Sequence, residues 1–211
     1  MGNTITDGSA VTSADLTSTA NVKTYMGISG TDDDTLIGQL VSRASNAIEN
    51  FCNRIFASTA YTEYHDGDGC ARIILDHRPI ISVTTIHDDL DRTFAASSLI
   101  AASDYITRDD EGIVEWLSGN ATFPSTAAYF YDGQLNVKVV YTAGYATIPD
   151  AVEQACIMMV AAMYNRGKQG ADGIDSDAHA GAYTVTYARS LLVAPTTQIR
   201  ELLLPYREIV L

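Results

Sequence analysis

Positive charge is what this chain has least of. Its 211 residues carry 13 Lys and Arg against 26 Asp and Glu, a net charge of −13, and no basic run occurs anywhere. Tight binding to a phosphate backbone needs clustered Lys and Arg, so the composition argues against a nucleic-acid-binding protein. Cysteine is scarce too. Cys52, Cys70 and Cys156 are odd in number, widely spaced and without a C-x-x-C pair, which fits buried thiols in a reducing cytoplasm better than disulfides or a zinc site. No apolar run approaches the roughly 20 residues that cross a bilayer, and no signal peptide opens the sequence, so a soluble protein is expected. Met1-Gly2 with Thr6 matches a myristoylation pattern, but one acyl chain without a basic patch binds membranes only marginally, and no membrane partner is expected.

Recognisable reaction chemistry is also missing. There is no G-x-S-x-G elbow, P-loop, helix-opening G-x-G-x-x-G or H-E-x-x-H. The four histidines, His65, His77, His87 and His179, fall singly on strands or turns with no evident Ser or Cys partner. The expectation is a protein that is not an enzyme and uses no cofactor or metal. With 46% hydrophobic residues the chain can nevertheless bury an ordinary core, as one domain or one domain with a lobe.

What is present begins with a long amphipathic helix over Thr31 to Asn53. Leu36, Ile37, Leu40, Val41, Ala44, Ala47, Ile48 and Phe51 recur at steps of three and four, with Gln39, Ser42, Arg43, Asn46, Glu49 and Asn50 opposite. Thr31 is placed to cap it, with Asp34 in the acid position of a capping box. A shorter helix, Thr19 to Met26, precedes it, capped by Ser18 or Thr19 and stopped by Gly27. After Phe56 the period becomes alternating. Tyr61 to His65 and Arg72 to Leu75 flank Asp66-Gly67-Asp68-Gly69, which reads as a hairpin turn; as a calcium loop it lacks the further oxygen ligands and distant Glu of an EF-hand. Ile80 to Ile86, Tyr105 to Thr107 and Ile113 to Trp116 follow as strands, and Leu135 to Tyr141 alternates most cleanly, with Leu135, Val137, Val139 and Tyr141 on one face.

Pro149 then opens a second main helix, Asp150 to Asn165, apolar on nearly every face. Beyond the stripe Val152, Ala155, Cys156, Met159, Val160 and Met163, the residues Ile157, Met158, Ala161 and Ala162 are apolar as well. Such a helix is either central to the fold or a subunit contact, and those last four are the candidate subunit interface. Gly167 to Gly181 is a Gly-, Ala- and Asp-rich loop; its Asp172, Asp175, Asp177 and His179 sit in surroundings that preorganise no metal site. Tyr183 to Tyr187 reads as a last strand. Thr197 to Leu204 closes as a helix ended by Pro205, with Ile199, Leu202, Leu203 and Tyr206 at helical spacing and Ile209, Val210 and Leu211 ending the chain.

The order of these parts is distinctive. A short helix, "SGTDDDTLIGQLVSRASNAIENFCNRIF", a β insertion with "YTEYHDGDG" and "RPIISVTTI", then "NVKVVYTAGYATIPDAVEQACIMMVAAMYNRG" and a closing "IRELLLPYRE" together resemble the head-tail connector (adaptor) family of tailed phages and related gene-transfer particles. The resemblance covers residues 16 to 208. It implies an α+β fold, a helical bundle of about four helices with an inserted antiparallel β lobe, assembled as a dodecameric ring in the virion. On that reading 16–58 and 146–211 are the helical body and 59–145 the β insertion; composition, not the resemblance, makes residues 1–15 a flexible arm and 167–181 a mobile loop. The implied partners are the portal protein, a tail-side connector or tail-completion protein and further copies of the chain itself, with DNA passing through without sequence-specific binding. Portal docking would fall to Ile199, Leu202, Leu203, Tyr206, Ile209, Val210 and Leu211, unless that segment folds back on its own body. The competing classes are a cytoplasmic β-rich ligand-binding module, which needs a concave apolar pocket, and an unrecognised hydrolase using Asp and His.

Overall fold

The computed structural model describes residues 14–117, 129–168 and 197–208, together with the backbone of three short strands at 5–6, 176–179 and 183–186. The chain divides into two compact units, one built on Ala57–Ala146 and joined by the strand β1 (Ile5–Thr6), the other on Ser13–Phe56 and Thr147–Leu211.

In the second unit α1 (Thr19–Met26) starts where the Ser18 hydroxyl accepts the Asn21 N–H and ends at Gly27, whose φ of 67° a side chain would disfavour. Helix α2 (Asp34–Cys52) has Asp33 at its cap position, two residues later than the capping pattern predicts. The acids at its start form tertiary contacts instead. Asp34 pairs with Lys23 at 2.5 Å, and Asp33 accepts from the Tyr164 hydroxyl (2.5 Å) and Lys168 (2.9 Å) of α3 (Asp150–Lys168). The predicted α2 stripe is largely the buried one: Ile37, Leu40, Val41, Ala44, Ile48 and Cys52 face inward, whereas Leu36 is exposed. Glu49, assigned by periodicity to the outer face, turns in to accept the Phe56 N–H at 3.2 Å and is buried. Against this stripe lie Val152, Ala155, Cys156, Met159 and Val160 of α3, with Val22 of α1 and Ile199 and Leu203 of α4 (Thr197–Leu203) completing the core.

The first unit is built around β7 (Gly133–Ala143), the inner strand of an antiparallel sheet in the order β1-β2-β7-β4, with β2 at Thr59–Gly67 and β4 at Ile80–Asp88. A second sheet, β3-β6-β5, comprises β3 (Arg72–Ile74), β6 (Ile113–Trp116) and β5 (Tyr105–Arg108). Val137, Val139 and Tyr141 of β7 join Tyr61, Ile80 and Ile86 from the first sheet, Ile73 and Val114 from the second, and Leu75, Ile100 and Phe130 from the links, in one buried cluster. The alternation read along β7 therefore marks a true inward face.

Two expectations need correction. The segments flanking Asp66-Gly67-Asp68-Gly69 do not form a hairpin: β2 pairs with β1 and β7, β3 with β6, so the turn carries the chain from one sheet to the other. Nor is the fold a helical bundle of about four helices with an inserted lobe. Among the described residues only α2 and α3, at 19 residues each, are long helices; α1 has 8 residues and α4 has 7. The sheets meanwhile enclose a hydrophobic core of their own. The result is a mixed α+β protein in which the β unit is no appendage. Apolar side chains from two sheets suffice to close a core, which periodicity along single strands cannot reveal. Strands β8 (Ser176–His179) and β9 (Tyr183–Thr186) form a separate antiparallel pair. The first of them falls within the stretch predicted as a Gly-rich loop. Gly167 and Lys168, predicted as the start of that loop, belong to α3; its residues 169–175 and 180–181, with Asp172 and Asp175, and the rest of the arm up to residue 13 lie outside the described residues.

Candidate functional site

Tertiary structure gathers one constellation with the look of chemistry, on the inward side of β2. Inward register places Tyr61, Glu63 and His65 on the face that β7 covers with Tyr141 and Val139. Glu63 has no exposed surface, and all its acceptor positions are used. Oε2 accepts from His65 Nε2 (3.0 Å) and the Asp76 N–H (3.1 Å); Oε1 accepts from His77 Nδ1 (2.8 Å) and the Tyr141 hydroxyl. The Tyr141 oxygen in turn accepts the His77 N–H at 3.1 Å, and the His77 imidazole stacks on Tyr61 with 3.8 Å between ring centroids.

Burial alone would raise the pKa of Glu63; the bonds from His65, His77, Tyr141 and the Asp76 amide outweigh it and hold it at about 2. Tyr141 is driven the other way by burial and by the charge of Glu63, and Asp76 is raised by burial and the same charge. A carboxylate kept ionised, four times hydrogen-bonded and sealed from water has neither a free lone pair for a proton nor room for a substrate. The cluster joins β2, the β3–β4 link and β7. Sequence reasoning treated His65 and His77 as isolated and missed Glu63, although a carboxylate in the inward register beside Tyr61 was the available signal.

A second polar joint fixes the end of the same sheet. Asn136 is buried; its Nδ2 donates to Asp88 Oδ1 and the Tyr131 carbonyl (both 2.9 Å), and its Oδ1 accepts the Gly67 N–H (2.9 Å). A Cβ on Gly67 would sit 1.8 Å from the Tyr131 oxygen, so close approach rather than a positive φ requires glycine there. Of the cysteines, Cys52 and Cys156 are buried and pushed up to about 11 by desolvation, but Cys70 is exposed, against the expectation of three buried thiols. Among the described residues no group of three or more His, Cys, Asp or Glu is arranged to hold a metal ion, and no helix is long and apolar enough to cross a membrane.

The candidate assembly residues are separated by the fold. On α3, Ile157 and Ala161 are buried within their own unit, while Met158 and Ala162 are half-buried on its outer side. Much of the all-round apolar character is thus used in covering α1, α2 and α4. At the carboxyl end Ile199 and Leu203 are core residues, Leu202 and Tyr206 are half-buried, and Ile209, Val210 and Leu211 lie outside the described residues. The segment through Glu208 is fastened to the end of α2: the Glu208 N–H donates to the Cys52 carbonyl (2.9 Å), Arg54 pairs with Glu208 (3.6 Å) and donates to the Tyr206 carbonyl (3.3 Å), and the Tyr206 ring meets Phe56 edge-on. Tyr206 therefore does not leave the body of the subunit.

The polar joints are committed to internal contacts, and the apolar side chains of Met158, Ala162, Leu202 and Tyr206 stay half-buried on a mixed α+β fold. Comparison with known proteins gives the particular class. Residues 15–209 match the head completion protein family, and the chain belongs to it. No curated protein matches the chain. Among solved structures it is similar to a chain in the neck of a native GTA particle computed with C12 symmetry, at 18% identity and a TM-score of 0.55, covering 100% of this chain and 97% of that one. Chains in the neck of an empty GTA particle computed with C6 symmetry and in the virion of a native gene transfer agent particle match at 15% and 16% identity, with the same TM-score and coverage. The family model thus shows a head completion protein, and the likeness to the three neck and virion chains shows a shared fold.

Proposed function

We propose that this chain assembles as a closed ring of about twelve copies, docks on the portal at the head and receives a tail-side completion protein on its other side, so that the ring completes the DNA channel. The observation that carries the reading is the family match across nearly the whole chain, supported by full-length likeness to a chain in a GTA neck computed with C12 symmetry. Two surfaces suit the assembly: the Met158 and Ala162 side of α3 for neighbouring copies, and Leu202, Tyr206 and Ile209 to Leu211 for the portal. Ile199 and Leu203 support that segment from within. The protein acts without catalysis, the saturated Glu63 cluster being a structural joint. A net charge of −13 suits a channel through which duplex slides without being held by counterion release. Electron micrographs of the purified protein mixed with portal test the reading: rings capping one end of the portal are expected, and two components that stay apart at micromolar concentration would refute it.

A further inference from the structure

Cations are few in this chain, and several are held by partners within it. Lys23 is held by Asp34, Arg54 by Glu208, Arg72 and Arg108 by Glu115, and Lys168 by Asp33. Lys138 lies over the rings of Tyr64 and Phe94. Arg43 and Arg92 are exposed without an ion pair among the described residues, and so are Arg200 and Arg207, but only the latter two share a ring. Their guanidinium carbons stand 5.6 and 5.4 Å from the centroid of one ring, Phe51, so the two charges lie within about 11 Å of each other. Neither has a carboxylate in ion-pair range among the described residues.

Two like charges gathered on one aromatic platform repel each other, and no carboxylate of the described residues lies in ion-pair range to offset them. The ring strips part of the water from each guanidinium, which strengthens its attraction for an anion, and the planar fork of arginine matches a carboxylate bidentately. We infer that Arg200, Arg207 and Phe51 form a receptor for an acidic peptide segment of the head-side protein. The inference rests on the portal-docking reading, since both arginines belong to the carboxyl segment that continues into Ile209 to Leu211. Charge selects a peptide over DNA. A duplex, with one phosphate charge per about 1.7 Å, is repelled by a protein of net charge −13 far more than a short acidic segment is, and the planar fork of arginine matches a carboxylate.

The test compares four full-length proteins for attachment to purified portal at low and high salt: wild type, the double reversal R200E/R207E, the neutral pair R200Q/R207Q and a deletion of Ile209 to Leu211. The reversal is expected to weaken attachment at least about tenfold at low salt, the neutral pair less, with the differences shrinking at high salt and melting unchanged. If the deletion abolishes attachment while both arginine variants bind like wild type at every salt, the acidic receptor is wrong and the docking segment stands. If neither the deletion nor the arginine variants alter attachment, both ideas fall. Wild-type binding to duplex DNA that the reversal removes would replace the peptide by a nucleic acid and overturn the inference. Should the reversal lower melting, the neutral pair decides.

Discussion

Replacing Glu63 by Gln keeps the volume of the side chain and removes its charge, which isolates what the ionised carboxylate contributes to the β unit. Gln turns one acceptor oxygen into an NH2 group facing either the His65 and Asp76 donors or those of His77 and Tyr141. The magnitude follows from linkage. Glu63 has an ordinary pKa of 4.5 and is held at about 2 in the folded protein, which at about 1.4 kcal/mol per unit corresponds to roughly 3 kcal/mol. Because the folded value is the lower one, this stability is fully present above pH 4.5 and is lost as the pH falls from there through about 2. Urea unfolding followed by the fluorescence of Trp116 reads the right unit, since this single tryptophan sits on β6 with its ring 5.9 Å from Phe130. The variant is expected to lose roughly 3 kcal/mol at pH 7 and to converge on the wild type as the solution is acidified toward pH 2. A loss below about 1 kcal/mol at pH 7, or a difference that stays constant through the acid range, would refute the reasoning.

The same fluorescence assay applies to Gly67→Ala, where a Cβ overlapping the Tyr131 carbonyl is expected to cost more than about 2 kcal/mol; a neutral result would show that the strand end shifts freely. Met158→Asp is expected to leave a folded subunit that no longer forms rings in sedimentation, whereas an unfolded subunit would make Met158 a core residue. Deleting Ile209 to Leu211 is expected to leave calorimetric melting nearly unchanged while weakening portal attachment, each apolar side chain contributing about 1.5 to 3 kcal/mol before ordering costs. A large fall in melting with attachment intact would return that tail to the subunit core.

Local signals carried the elements well and their partners poorly. Ser18 and Gly27 bound α1 because capping chemistry is written in adjacent residues, and the alternation of Val137, Val139 and Tyr141 announced the inward face of β7 because strand period depends only on the backbone. By contrast, Asp34 looked like a capping acid although Lys23 claims it, and nothing local announced that its neighbour Asp33 meets Tyr164 and Lys168, more than a hundred residues away. The supposed hairpin at Asp66 to Gly69 failed for the same reason, since the choice between β3 and β7 as partner of β2 is made by packing of two sheets. Glu49 shows the limit of periodicity, because a single hydrogen bond to Phe56 N–H turns a nominally outer residue inward. Of the assembly candidates, Ile157, Ala161, Ile199 and Leu203 carried an apolar pattern that fits a core and an interface equally, and only the fold separates them from Met158, Ala162, Leu202 and Tyr206.

The central claim, a ring connector joining head to tail, is tested most directly by cryomicroscopy of particles produced with and without this protein. With it, a closed ring of about twelve subunits is expected between portal and tail, as in the similar neck of twelvefold symmetry. Without it, heads and tails are expected to form separately and remain unjoined. Complete particles assembling in its absence, or its density lying away from the junction, would contradict the account.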